Sequence, residues 1–275
     1  MDSKKIITIQ DISCYGQCSI TVALPILSAF GYETAILPSA ILSTHTSGFK
    51  NFTVHDLSSE IPLIINHWKN EGIKYDCLYS AYLGEVEHID LVLQIKNELL
   101  NKGGLYILDP VMGDNGKLYP AFNNDYVVAM RRLVSVADII IPNLTEAAFL
   151  TNTPYQEKYD ETYIKDILFK LQKMGAKKVV LTGVSYEDKT IGIALLDKEY
   201  TYYKHRKISK SYHGTGDIYT SSFLGAYLSN NDLYKSVKIA ADFVVNAIEN
   251  TIDDPNHNYG VKFEPILAKF VANTK

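Results

Sequence analysis

The sequence predicts a three-layer α/β/α fold on a doubly wound, mostly parallel sheet, and three observations carry that expectation. Short β-rich runs alternate with longer stretches of helical periodicity along the chain. Several of those runs, such as "DIIIP" and "KKVVLTG", are apolar almost throughout, as strands buried on both faces must be. No repeat, low-complexity tract or Pro/Ser-rich linker interrupts the 275 residues, so one domain spanning 1–275 is expected.

The elements follow in order. "KIITIQ" reads as the first strand and "SITVALPILSAFG" as the helix after it; "ETAILPS" with "LSSEIPLIINHWKNEG", and "YDCLYSA" with "HIDLVLQIKNELLNKGG", repeat the pair. "LYILDP" is the next strand, leading through a Gly-containing loop to the helix "NDYVVAMRRLVSVA". "DIIIPN", a further helical stretch and "AKKVVLTG" continue the alternation. "TIGIALLD" and "EYTYYKHR" are divided by a short charged turn and read as an antiparallel pair, after which helices over 215–228 and 233–249 finish the core. The segment "DDPNHNYGVKFEP" carries no readable pattern.

With 47% hydrophobic and 21% charged residues the composition is that of a soluble globular chain. A net charge of −4 leaves no basic excess for a nucleic-acid backbone. Nowhere are there the roughly 20 consecutive apolar residues of a membrane helix, and a cytoplasmic protein is expected. The cysteines, Cys14, Cys18 and Cys77, are odd in number and read as reduced thiols. Cys14 and Cys18 could be half of a metal site, but no second Cys/His pair at matching spacing follows.

In doubly wound folds ligands sit beyond the carboxyl ends of the parallel strands. Asp11, Asp109, Asn143 and Gly183 each fall just after an expected strand and should share that rim. In "HGTGD", Gly214 and Gly216 permit a tight turn whose amides, with that of Thr215, point out of a helix start where an anion is favoured. Asp217 beside them could take a proton from an attacking hydroxyl; an acidic residue suited to the helix dipole reads the stretch equally well. In "PNLTEAAFL", Asn143 and Glu146 could hold a hydrated magnesium ion, and they also form a helix-start pair resembling a capping box. "ILDPVMGDNGKLY" puts Asp109 at a strand tip, before a loop with Gly113, Gly116 and Lys117 that reads as a partial lid or as ordinary turns. Walker, Rossmann and hydrolase-elbow patterns are absent.

Taken together, "HGTGD", "NLTE", "DPVMGD", "LSTHTSG" and "SAYLG" in this order resemble the ribokinase-like kinases and, within them, the pyridoxal/pyridoxamine (vitamin B6) kinases, over most of the chain. The resemblance implies ATP-dependent phosphorylation of the vitamin's 5′-hydroxymethyl group, with Asp217 as base and the Gly214–Thr215–Gly216 backbone as anion hole. It assigns Asp109, Asn143, Glu146, Thr182 and Gly183 to MgATP, the first three as metal-binding largely through water, and leaves a monovalent cation open. Asp11, Thr46, Ser47 and Tyr82 fall at ring-binding positions; Asp11 and Thr44 depart from the residues many B6 kinases carry, leaving vitamer preference open. A homodimer without nucleic-acid or membrane partners is implied as well. The alternatives are hydroxymethylpyrimidine kinase of thiamine synthesis, a non-catalytic B6- or nucleotide-binding sensor, and a thiol-based metal or redox protein.

Overall fold

The computed structural model describes residues 4–46, 48–272 and 274. They fall into two compact units, Met1–Ile64 with Ile208–Lys275, and Ile65–Lys207. The first unit opens with β1 (Lys5–Ser13), α1 (Ile20–Ala29), β2 (Glu33–Leu42) and β3 (Val54–Asp56), and α2 (Ile61–Asn70) begins in it and runs into the second. The second holds β4 (Tyr75–Ser80), α3 (Glu87–Glu98), β5 (Leu100–Leu108), β6 (Gly113–Asp114), β7 (Lys117–Leu118), α4 (Asn124–Val134) and β8 (Ile139–Ile140). It continues through α5 (Leu144–Thr151), α6 (Glu161–Lys173), β9 (Lys178–Val184), β10 (Thr190–Leu196) and β11 (Tyr200–Arg206). Helices α7 (Thr215–Asn230), α8 (Leu233–Glu249) and α9 (Glu264–Ala272) belong to the first unit.

In the second unit the strands run in the order β11-β10-β9-β8-β5-β4. Neighbours β4, β5, β8 and β9 are parallel, and β10 and β11 extend them as the expected antiparallel pair. In the first, β1 pairs with β2 in parallel and the three-residue β3 closes the edge antiparallel. The α/β class with a mostly parallel sheet and flanking helices is therefore present as the sequence predicts.

Two features of the first unit position its functional residues. The β1/β2 register jumps from Gln10↔Pro38 to Ile12↔Ile41, an irregularity at Asp11 of the kind that re-aims a side chain near the end of a strand. The small residues of α7 let it approach α1 closely: a Cβ on Gly225 would lie 2.4 Å from the Phe30 ring. The unreadable C-terminal stretch is part of this core. Val261 and Phe263 are buried there with Phe30, Ile218 and Phe243, and α9 stacks Phe270 on Phe243 at 3.9 Å.

Candidate active site

Helix α7 begins at Gly214, whose φ of 77° and ψ of −1° place it in the left-handed region glycine adopts without strain. No side chain caps this terminus, so the first-turn amides keep the unsatisfied donors and positive dipole end that attract an anion. Gly216 is exposed, and a Cβ built on it meets nothing within 4 Å, so space stands open beside those amides.

Asp217, in the same turn, accepts a hydrogen bond from the backbone N–H of Ser19 at 2.9 Å. Burial pushes its carboxyl up to about 7; the Ser19 bond opposes that rise and the charge of Asp11 adds to it. Asp11 is itself buried, accepting hydroxyl bonds from Ser13 at 3.0 Å and from Ser19 at 2.5 Å. Burial raises its proton affinity too, against the two serine bonds. Ser19 thus serves both acids, its amide one and its hydroxyl the other. It does so from φ 55° and ψ −130°, a backbone state that costs a non-glycine residue about 1–3 kcal/mol and persists where the surroundings enforce it.

Sequence reasoning missed Ser19, because a serine one residue before a helix reads as an ordinary N-cap; here it makes no side-chain cap bond. It also placed Asp11 after the first strand. The strand runs on to Ser13, because Ile12 still pairs with Ile41 and the serine hydroxyls allow the polar residue to be buried. Thr46 is exposed, and Ser47 lies outside the described residues. Between them and Thr44 the missed residue is His45, which is buried against the Phe49 ring at 4.9 Å and His213 at 5.6 Å. It also lies so close to Gly16 that a Cβ there would meet the imidazole at 2.2 Å.

In the second unit, Asp109 follows β5, its N–H bonded to Ser80 O at 2.9 Å, and its side chain is buried. Asn143 caps α5, accepting from Glu146 N at 3.0 Å, while the Glu146 carboxylate accepts from Asn143 N at 2.8 Å and completes a capping box. The other Glu146 oxygen accepts from Met112 N at 3.2 Å. Burial drives the Glu146 carboxyl well above its usual range, and the neighbouring charge of Asp109 drives it further. Gly183, expected just after the strand, lies inside β9 with Thr182, because the strand continues to Val184 to pair with Gly192 of β10. An isolated parallel bridge joins Asn143 to Thr182, so Asp109, Asn143 and Thr182 stand at the carboxyl ends of adjacent strands.

The loop after Asp109 is a β6–β7 hairpin turned by Asn115 (φ 51°) and Gly116 (φ 74°), the left-handed pair favoured in two-residue hairpins. Three residues of the α5 start hold it: Asn143 Nδ2 donates to Gly113 O at 2.9 Å, Thr145 Oγ1 accepts from Gly116 N at 2.9 Å, and Glu146 accepts from Met112. Tyr82, partly buried after β4, packs on Phe122 at 5.4 Å, which stacks on Tyr126 at 4.0 Å. Among the described residues no three His, Cys, Asp or Glu side chains converge as a metal site, and no helix is long and apolar enough to cross a membrane. All three cysteines are free.

Residues 64–262 match the profile of the phosphomethylpyrimidine kinase family. Among solved structures, pyridoxal kinase from Lactobacillus plantarum is 34% identical with a TM-score of 0.91, covering 98% of this chain and 97% of its own. A Bacteroides thetaiotaomicron protein crystallised with pyridoxal is 32% identical with a TM-score of 0.91, covering 99% and 96%. Pyridoxal kinase from Arabidopsis thaliana is 28% identical over 92% of this chain and 84% of its own length.

Proposed function

Because the chain belongs to the phosphomethylpyrimidine kinase family, we propose that it is an ATP-dependent kinase that phosphorylates the 5′-hydroxymethyl group of a B6 vitamer. The observation that carries this reading is Asp217, a carboxylate with near-neutral proton affinity beside uncapped helix-start amides. A base of that strength can take the hydroxyl proton as the alkoxide oxygen bonds to the γ-phosphorus. The P–O bond to the β-phosphate then breaks, its electron pair leaving with ADP, while the amides of Thr215 and Gly216 stabilise the transferring phosphoryl.

Asp109, Asn143, Glu146, Thr182 and Gly183 serve MgATP in this reading. Two buried acids that raise each other's energy are a fitting place for a divalent cation, and Asp109 and Glu146, with Asn143 at the same helix start, would hold hydrated magnesium. The ion would offset charge on the ATP phosphates. Replacing Glu146 with Ala should raise the half-saturating Mg2+ concentration about tenfold and cost about 1 kcal/mol through the lost capping box. Mg2+ titration of turnover and urea unfolding would measure the two effects; unchanged Mg2+ dependence would remove Glu146 from the metal site. A monovalent cation requirement would be read in the same assay with K+ replaced by a bulky organic cation.

Asp11, Thr46, Ser47 and Tyr82 contact the pyridine ring in this proposal, with Asp11 offering the lone pairs left beside its two serine bonds. The whole chain acts as one catalytic domain, in the cytoplasm and as a homodimer. The deciding experiment is ATP-dependent phosphorylation of pyridoxal, pyridoxamine, pyridoxine and hydroxymethylpyrimidine in parallel, with ADP release as readout. At least one vitamer should turn over about tenfold more efficiently than hydroxymethylpyrimidine, a preference worth about 1.4 kcal/mol. The reverse preference, which the family's description favours, would reassign the acceptor; vitamer binding without ADP release would make the protein a sensor.

A further inference from the structure

The geometry around Ser19 raises a question of support, since a strained residue that serves both acids needs something to hold it. That support converges on Gln17, two residues earlier in the loop between β1 and α1. Its backbone N–H donates to Tyr259 O at 2.9 Å. Its side-chain Nε2 donates to Glu264 Oε1 at 2.6 Å, and its Oε1 accepts from His257 Nε2 at 2.9 Å. Burial holds the His257 imidazole below its usual range, so the ring is neutral near pH 7 with its proton on the nitrogen facing Gln17.

The fit is tight on both sides. A Cβ on Gly260, which has a φ of 142°, would lie 2.5 Å from Gln17 Cβ, and a Cβ on Gly214 would lie 1.9 Å from Gln17 O. The C-terminal segment thus holds the loop against the start of α7 through Gln17, with the Tyr15 ring packed on Tyr259 at 4.8 Å beside it. The same segment buries Val261 and Phe263 in the core beside α7, so its end of the tie is anchored.

We propose that Gln17 is a positioning residue for phosphoryl transfer, tying the β1–α1 loop to the C-terminal segment so that the Ser19 amide stays on Asp217. This rests on the reading of Asp217 as the base. Without the tie the loop relaxes toward an unstrained backbone and the Ser19 N–H withdraws. The ionisable groups facing Asp217 are Asp11 of β1 and Cys18 of the loop itself, both of which interact with it electrostatically. Neither replaces the amide: Asp11 accepts from Ser13 and Ser19 and adds charge that raises Asp217, and the Cys18 thiol, kept protonated by burial and then by the two acids, is a far weaker donor than a backbone N–H. Asp217 therefore binds its proton more tightly in the loosened loop.

The test is the pH profile of kcat/KM for the vitamer in Gln17→Ala and in Gln17→Met, the latter keeping the bulk against Gly260 without either side-chain bond. Both should shift the ascending limb upward by about half to one pH unit, lose about two- to fivefold at pH 7, and keep KM for ATP within about twofold. Glu264→Gln, with Gln17 intact, retains an acceptor for Gln17 Nε2 and should keep the wild-type limb. A limb unmoved in both Gln17 variants overturns the proposal, and so does a fall in Tm that alone accounts for the lost activity. Asp217→Asn in the same assay separates the two readings. If that variant keeps its turnover, the base assignment fails; if it is inactive while the Gln17 limbs stay fixed, the failure is of this inference alone.

Discussion

Asparagine at position 217 should lower kcat at least ~10²-fold while leaving KM for ATP within about twofold. The substitution keeps the size of the side chain and an oxygen that can still accept the Ser19 amide, so the start of α7 need not move. What disappears is the capacity to take a proton. In the wild type that capacity should appear as an ascending limb of kcat/KM near pH 7, where burial has placed the carboxyl. Stability carries the opposite sign. A carboxyl raised from its ordinary ~3.9 toward 7 favours the fold most below pH 4, and that contribution is lost as pH climbs through 7. The asparagine variant lacks this penalty, so its stability advantage should grow between pH 5 and pH 8, reaching at most roughly 3–4 kcal/mol. Calorimetry at the two pH values, beside the kinetics, measures both. A kcat within threefold of wild type would exclude Asp217 as the base.

Sequence separation decides which parts of the site are legible in the sequence. Asp217 and the Asn143–Glu146 pair announce themselves because a helix start is a local pattern: the glycines, the acid and the capping partners lie within four residues of one another. The alternation of strands and helices is legible for the same reason, since each period is written within one element. Ser19 and Gln17 are not legible in this way. Their partners are remote, 198 residues away for Ser19 and Asp217, and 247 for Gln17 and Glu264. The C-terminal stretch gave no signal because Val261 and Phe263 are buried without belonging to a helix or strand, and α9 has only nine residues to display a period. The hairpin strands β6 and β7 have two residues each and β3 is exposed throughout, so none of them carries the alternation that marks a half-buried strand. Asn143 and Glu146, read as either a cap or a metal pair, form the cap in full, and it is the buried neighbour Asp109 that keeps the second role open.

Alanine at Gly214 should cost both fold and function, and alanine at Gly216 function alone. At Gly214 the new Cβ would stand 1.9 Å from Gln17 O and 3.0 Å from Gln17 C, obstacles of backbone that no rotamer change removes. The left-handed conformation adds about 1–2 kcal/mol for a residue with a Cβ. The loop that carries Ser19 must retreat, taking with it the amide on Asp217 and the hydroxyl on Asp11. A fall in Tm of several degrees is expected, together with a loss in kcat of at least ~10²-fold, comparable to removing a positioned catalytic group. Gly216 has no left-handed backbone to preserve and open space on the Cβ side, so its alanine variant should melt with the wild type. There the methyl would occupy room beside the α7 amides, and turnover should drop about tenfold or more as the phosphoryl is held off its donors. Thermal unfolding and steady-state kinetics on the two variants separate a glycine required by the fold from one required by an anion. Wild-type Tm and kcat in the Gly214 variant would show that the loop carrying Ser19 is free to move without consequence for Asp217.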